Sequence, residues 1–275
     1  MVYFHEIQGL KMFSIPIIPV TTIGIAVSLY LGFKSTSAYG RWWEARKVWG
    51  AIINDSRIWA SAVFTLIFAP DKELDPNVQR ELIRRHLAWV NALAHQLRQR
   101  SRLKDSHNTR IFDHRLVTEG VEYHHSPECY RRFLSDAEWD EMAALENPAV
   151  HILRRQGDRL RELATAGFLD NYRLVQMMTT LDAFYVSQGQ CERIKNTPFP
   201  RQVANFGQIF TWFFIFLLPL AFVEIFESTT EIHDLSDLMH QEYMFALVPF
   251  TVLISWVFYI MEKVSDSTED PFEGG

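Results

Sequence analysis

Met12 to Phe33 reads MFSIPIIPVTTIGIAVSLYLGF, without a single Asp, Glu, Lys or Arg. A helix needs ~20 apolar residues to cross roughly 30 Å of hydrocarbon, so this stretch has spanning length. Two more uncharged segments do the same: Phe206 to Val223 (FGQIFTWFFIFLLPLAFV) and Tyr243 to Met261 (YMFALVPFTVLISWVFYIM). Soluble core helices are rarely uncharged on every face for so long. The expectation is therefore an all-α integral membrane protein. Averages hide this, because 22% of the 275 residues are charged and most of that charge lies between the first and second segments.

Charge asymmetry orients the spans. Glu227 to Glu242 (ESTTEIHDLSDLMHQE) carries five acids and no Lys or Arg. Lys34, Arg41, Arg46 and Lys47 follow the first span, Arg193, Lys195 and Arg201 precede the second, and Lys263 follows the third. Basic residues mark the cytoplasmic side, so the large polar region and the C-terminus are expected inside, with the acidic loop outside. The odd number of spans then leaves Met1 outside. Met1 to Lys11 (MVYFHEIQGLK) is read as the stub of a truncated further helix. The expected division is 1–40 for the stub and first span, 41–203 for a cytosolic helical domain, 204–264 for two further spans and 265–275 for a cytosolic tail.

Within the polar region, RWWEARKVWGAIINDSRIWASAVFTLIF (Arg41 to Phe68) has helical periodicity that continues the first span until Pro70. Further helices are expected over Asn77–Leu103, Ser135–Leu145, Ala149–Thr165 and Asp170–Lys195. No alternating strand pattern or fixed repeat is visible. Cys129 and Cys191 are too few for a disulfide framework and are expected to be reduced thiols. A net charge of −6 without a dense Lys/Arg run argues against a nucleic-acid partner.

Little in the chain asks for catalysis. No Gly-rich phosphate loop, GxSxG or HExxH is present. Glu122, His124, His125 and Cys129 have atoms suited to a transition metal, but adjacent histidines do not share a helix face, and a solvated loop is the plainer reading. Asp136, Glu138, Asp140 and Glu141 read as a wet helix face. Thr21, Thr22 and Gln208 are isolated polar groups suited to packing.

The first span carries more information. Gly24, Ser28 and Gly32 form a small-residue stripe that lets membrane helices approach closely. One residue on, Ile25, Leu29 and Phe33 form a parallel apolar stripe. Around an oligomer axis that stripe makes stacked apolar rings, which gate ions by dewetting. On pattern alone, contact with lipid or other helices is the plainer account. Pro16 and Pro19 are expected to break the helix at its outer end.

LGFKSTSAYGRWWEARKVWGAIINDSR (Leu31 to Arg57), CERIKNTPFP (Cys191 to Pro200) and EDPFE (Glu269 to Glu273) resemble a bacterial member of the bestrophin family. The similarity covers nearly the whole chain, and it is carried by Arg41, Trp42, Trp43, Glu44, Pro198, Pro200, Asp270, Pro271 and Phe272. It implies a homopentameric ion channel in the bacterial inner membrane, multi-pass, with lipid and small inorganic ions as its other partners. Family members have four membrane helices per subunit, of which the first is here only the stub. Three apolar residues on the second helix make their pore neck, and these match Ile25, Leu29 and Phe33. A second, cytosolic constriction corresponds to Val175. The family implies chloride or other anions, although some bacterial members resemble cation channels and the acidic balance leans that way. Eukaryotic members continue past the DPF motif into a calcium-binding clasp; calcium gating is not expected here, nor is a cofactor. The rival reading is a membrane-anchored scaffold or sensor whose cytosolic helices bind a partner.

Overall fold

The structure, a computed structural model, describes residues 15–99, 126–142, 145–197, 200–232 and 237–272; the side chains of 201–202, 227–232 and 237–244 are left out of account. The described residues are mainly helical, with turns, bends and one isolated bridge between Ala69 and Lys72. In chain order the helices are α1 (Ile17–Thr65), α2 (Pro76–Arg98), α3 (Glu128–Arg131), α4 (Asp136–Met142), α5 (Pro148–Thr165), α6 (Asn171–Asn196), α7 (Arg201–Ile232) and α8 (Asp237–Thr268). Met1–Lys11, Glu122, His124, His125 and Pro198 lie outside the described residues. The acidic loop lies outside those whose side chains are described.

Helix α1 is one 49-residue element. At 1.5 Å per residue it is about 74 Å long, more than twice the hydrocarbon thickness, so only part of it can lie in a bilayer. Pro19 does not break it. Pro16 sits just before the helix and Pro19 in its first turn, where N–H groups have no intrahelical acceptor and proline costs little. The helix ends at Thr65, short of Pro70, and Arg173 Nη1 donates to the carbonyls of Leu66 and Phe68 just beyond it at 2.8 and 3.0 Å.

The chain forms two compact units. One comprises Met1–Arg41 with Pro198–Glu269, the other Trp42–Thr197 with Asp270–Gly275. In the first, Val20, Val27 and Leu31 of α1 are buried with Phe214, Leu218 and Ala221 of α7, and Ile254 and Phe258 of α8 pack against them. Apolar burial does not drive association when lipid is as apolar as the partner, so contact depends on close fit and polar pairs. Gly24 supplies such fit: a Cβ there would fall 2.8 Å from the Phe214 ring. Among the described residues three helices are apolar enough to span a membrane; they take in Ile17 to Phe33 of the first expected segment, all of Phe206 to Val223, and Phe245 to Met261 of the third.

In the second unit the core is aromatic. Trp59, Trp89 and Phe184 are fully buried around His86, and the Trp89 indole N–H donates to Gln188 Oε1 at 2.9 Å. Each such side chain contributes about 1.5–3 kcal/mol by burial. Helix limits follow local chemistry. Asp75, Asn147 and Asp170 each cap a helix N-terminus through a side-chain oxygen. Gly167 adopts φ 85° after α5, and Phe168 N–H reaches the Leu163 carbonyl at 2.9 Å, a stop that favours glycine.

Two expectations for this unit are corrected. Cys129 is not in a solvated loop but fully buried on α3, and both cysteines are free. Among the described residues no cluster of three or more His, Cys, Asp or Glu is placed to hold a metal. Of the four acids expected to form a wet face on α4, Asp136, Asp140 and Glu141 are exposed but Glu138 is not. Glu138 Oε2 accepts from Ser135 in a capping box, while Oε1 accepts from Nε of the buried Arg85 at 2.8 Å. Burial would raise the Glu138 carboxyl, but Arg85 and the Ser135 hydrogen bonds outweigh it and hold it below the usual carboxylate range.

Candidate functional site

Helix α1 has two unlike faces over its first half. Val20, Gly24, Val27, Leu31, Lys34 and Ala38 are buried at three- and four-residue spacing. Ile25, Leu29 and Phe33 are 67, 60 and 66% exposed. With 3.6 residues per turn these three fall on the side of the helix opposite the buried seam. Thr22 and Thr36 are exposed near either end of the stripe, and each hydroxyl donates to its own helix carbonyl four residues back. The result is an open apolar strip on a helix whose other side is anchored.

The anchors are polar and lie within the same unit. The Ile17 N–H, an orphan donor at the helix start, donates to Glu224 Oε2 of α7 at 3.0 Å. Tyr30 donates its hydroxyl to the Val203 carbonyl at 3.1 Å, and its ring lies against Gly207. Lys34, 3% exposed, donates to Glu262 Oε1 of α8 at 2.6 Å, with Asp266 Oδ1 at 3.9 Å. Arg41 Nε donates to the Glu269 carbonyl at 3.0 Å. At sequence level Lys34 was counted among the basic residues flanking the span; it is instead a buried member of the seam. Glu224 and Glu262 each lie just outside an uncharged segment of the sequence. Their only sequence signal was an acid beside a span, where it is costly without a partner.

The small-residue stripe divides. Gly24 faces Phe214 of its own chain, whereas a Cβ on Gly32 would meet nothing within 4 Å. Ser28 is exposed and turns its hydroxyl back to the Gly24 carbonyl at 2.8 Å. In the other unit, Val175 is 64% exposed on α6, on a face that also leaves Tyr172 and Val186 open. Glu44 pairs with Arg193. Trp42 and Trp43 are partly exposed, and Trp42 shares a groove with Trp49, Leu97, Pro271 and Phe272. Asp270 begins the turn that brings Phe272 against the core, and Pro200 is exposed just before α7.

No arrangement of nucleophile, base and orienting group occurs among these residues. What the geometry offers is a long helix, anchored on one side, that presents a bare apolar strip.

The family model described as Bacterial/Fungal Bestrophin protein matches residues 1–274. The chain belongs to the bestrophin family. It is 30% identical over 93% of its length to the voltage-dependent anion channel-forming protein mll4386 of Mesorhizobium japonicum, 67% of which is covered. It is 28% identical over 92% of its length to the similarly named RSc3414 of Ralstonia nicotianae, covering 69% of that protein. A crystal structure of a bacterial bestrophin homologue from Klebsiella pneumoniae superposes with a TM-score of 0.73 at 25% identity, over 99% of this chain and 83% of that one. The bestrophin resemblance and the all-α bestrophin-like fold expected from the motifs are thus shown.

Proposed function

We propose that this chain is the subunit of a homopentameric bestrophin-type channel that passes small monovalent anions down their gradient through an apolar neck. The observation that carries this reading is the exposed Ile25, Leu29 and Phe33 strip, on a spanning helix whose opposite face is fully occupied. Five copies arranged with these strips inward form three stacked rings. Wetting and width at such rings set conductance, while charge beyond them and helix ends set ion sign. The anion assignment rests on the names of the relatives, and the whole-chain charge of −6 does not oppose it because most of that charge need not line the pore.

In this reading the chain lies in the bacterial inner membrane, multi-pass, among lipid. Residues 41–203 and 265–275 are cytosolic, and 1–40 and 204–264 are the membrane part. Val175 forms a second constriction on the cytosolic side. The reading invokes neither calcium nor another cofactor.

The test is a reversal potential under a chloride gradient with protein in planar bilayers. A shift towards the chloride equilibrium potential supports the anion channel, and a shift towards the cation potential reverses the sign assigned. No current at all leaves a membrane-anchored scaffold as the reading. Leu29→Ala and Phe33→Ala widen the neck and raise single-channel conductance; unchanged conductance in both removes the strip from the pore.

A further inference from the structure

We infer that the buried Lys34–Glu262 pair is a register pin that aims the Ile25/Leu29/Phe33 strip, a positioning role that rests on reading that strip as the neck. The seam Val20, Gly24, Val27, Leu31, Lys34, Ala38 contains one charge. Its other members are small or apolar, and the Gly24–Phe214 and Tyr30–Gly207 fits oppose a slide of α1 by steric loss alone. Lys34 adds an electrostatic penalty to that. Its ammonium, 3% exposed, has its nearest carboxylate in Glu262 Oε1 at 2.6 Å, with Asp266 Oδ1 next at 3.9 Å. The other Glu262 oxygen is buried with no hydrogen-bond partner among the described residues, so Lys34 is the close counter-charge for that acid.

A turn's slip towards Asp266 would strand the buried Glu262 carboxylate, and a slip the other way or a rotation would strand Lys34 as well, which is strongly unfavourable. A lone polar residue in an apolar helix seam fixes register in coiled coils by the same logic. Lys34 also follows Phe33 directly in the chain, so the rotation it fixes is that of the strip itself. Neither Lys34 nor Glu262 lies on the strip; they act through the helix that carries it.

The test separates aiming from stability. Lys34→Met combined with Glu262→Leu removes both buried charges, takes from the partly exposed Asp266 only a 3.9 Å contact, and is expected to keep the thermal midpoint at or above wild type. Each variant is made alongside Leu29→Cys in the full chain reconstituted in bilayers, and the rate at which a permeant methanethiosulfonate reagent changes the current is recorded. The native Cys129 and Cys191 are buried and do not compete. With the pin intact, Leu29→Cys reacts. Without it, the rate falls about fivefold or more and unitary conductances spread, a coupling of ordinary allosteric size. The charge swap, Lys34→Glu with Glu262→Lys, restores both. An unchanged rate and a single conductance without the pin overturn the inference while the neck reading stands. A Leu29→Cys that never reacts, pin intact, overturns the neck reading instead. A swap that assembles yet behaves like the apolar double variant also counts against the pin.

Discussion

Tyr30 lies so close over Gly207 that a Cβ on residue 207 would fall 1.8 Å from its ring. No side chain fits at that distance, and the Tyr30 hydroxyl is held beyond it by the Val203 carbonyl. Gly207→Ala should therefore push α7 away from α1 and cost about 1–3 kcal/mol or more. A thermal-shift measurement in detergent should show a lowered midpoint, with much of the loss recovered when Tyr30→Ala is added. A Gly207→Ala protein as stable as wild type would contradict the close approach.

Gly24 and Gly32 should separate folding from assembly. Alanine at 24 meets the Phe214 ring at 2.8 Å and lowers the stability of the subunit itself. Alanine at 32 meets nothing of its own chain. Its effect should fall on the oligomer, with a shift to smaller species in native mass spectrometry. A Gly32→Ala protein of wild-type mass distribution would leave Gly32 without a packing role.

His86 should make the helical domain acid-sensitive. The Ser56 hydroxyl donates to the Ile52 carbonyl at 2.6 Å, so at its 2.9 Å contact with His86 it accepts from the ring Nε2–H. Burial lowers the His86 pKa from 6.5 to about 4. Between those values the unfolded chain binds the proton and the folded one does not, so stability is full above pH 6.5 and falls as pH drops towards 4. The loss amounts to about 3 kcal/mol at most. Unfolding of His86→Gln, followed over the same pH range, should show a flatter slope than wild type.

Glu138 and Glu141 share a short helix but not a role. Glu138→Ala leaves the Arg85 guanidinium, 5% exposed, with Glu81 and Gln156 among the described residues and should cost about 3 kcal/mol. Glu141→Ala, on the exposed side, should change stability by less than about 0.5 kcal/mol. Because the Glu138 carboxyl is held low, the stability it contributes is present above the ordinary carboxylate pKa and is lost as pH falls below it. Equal effects of the two substitutions in chemical denaturation would reject the distinction.

Much of this was legible in the residues alone. Hydrocarbon forces every backbone group to bond within its own segment, so the uncharged stretches around Ile25, Leu217 and Ile254 had to be helices. The 3.6-residue period placed Ile25, Leu29 and Phe33 on one face before any contact was known, and the helices expected from Asn77, Ala149 and Asp170 start within one residue of Pro76, Pro148 and Asn171. Tertiary structure decided which face of α1 is anchored and what each charge meets. Lys34 and Glu262 are 228 positions apart, Ile17 and Glu224 207, and Arg85 and Glu138 53. Each of the charged residues among them reads locally as a flanking or solvated charge. The energy of a buried charge depends on what lies within a few ångströms, and no local pattern records a neighbour brought in by folding.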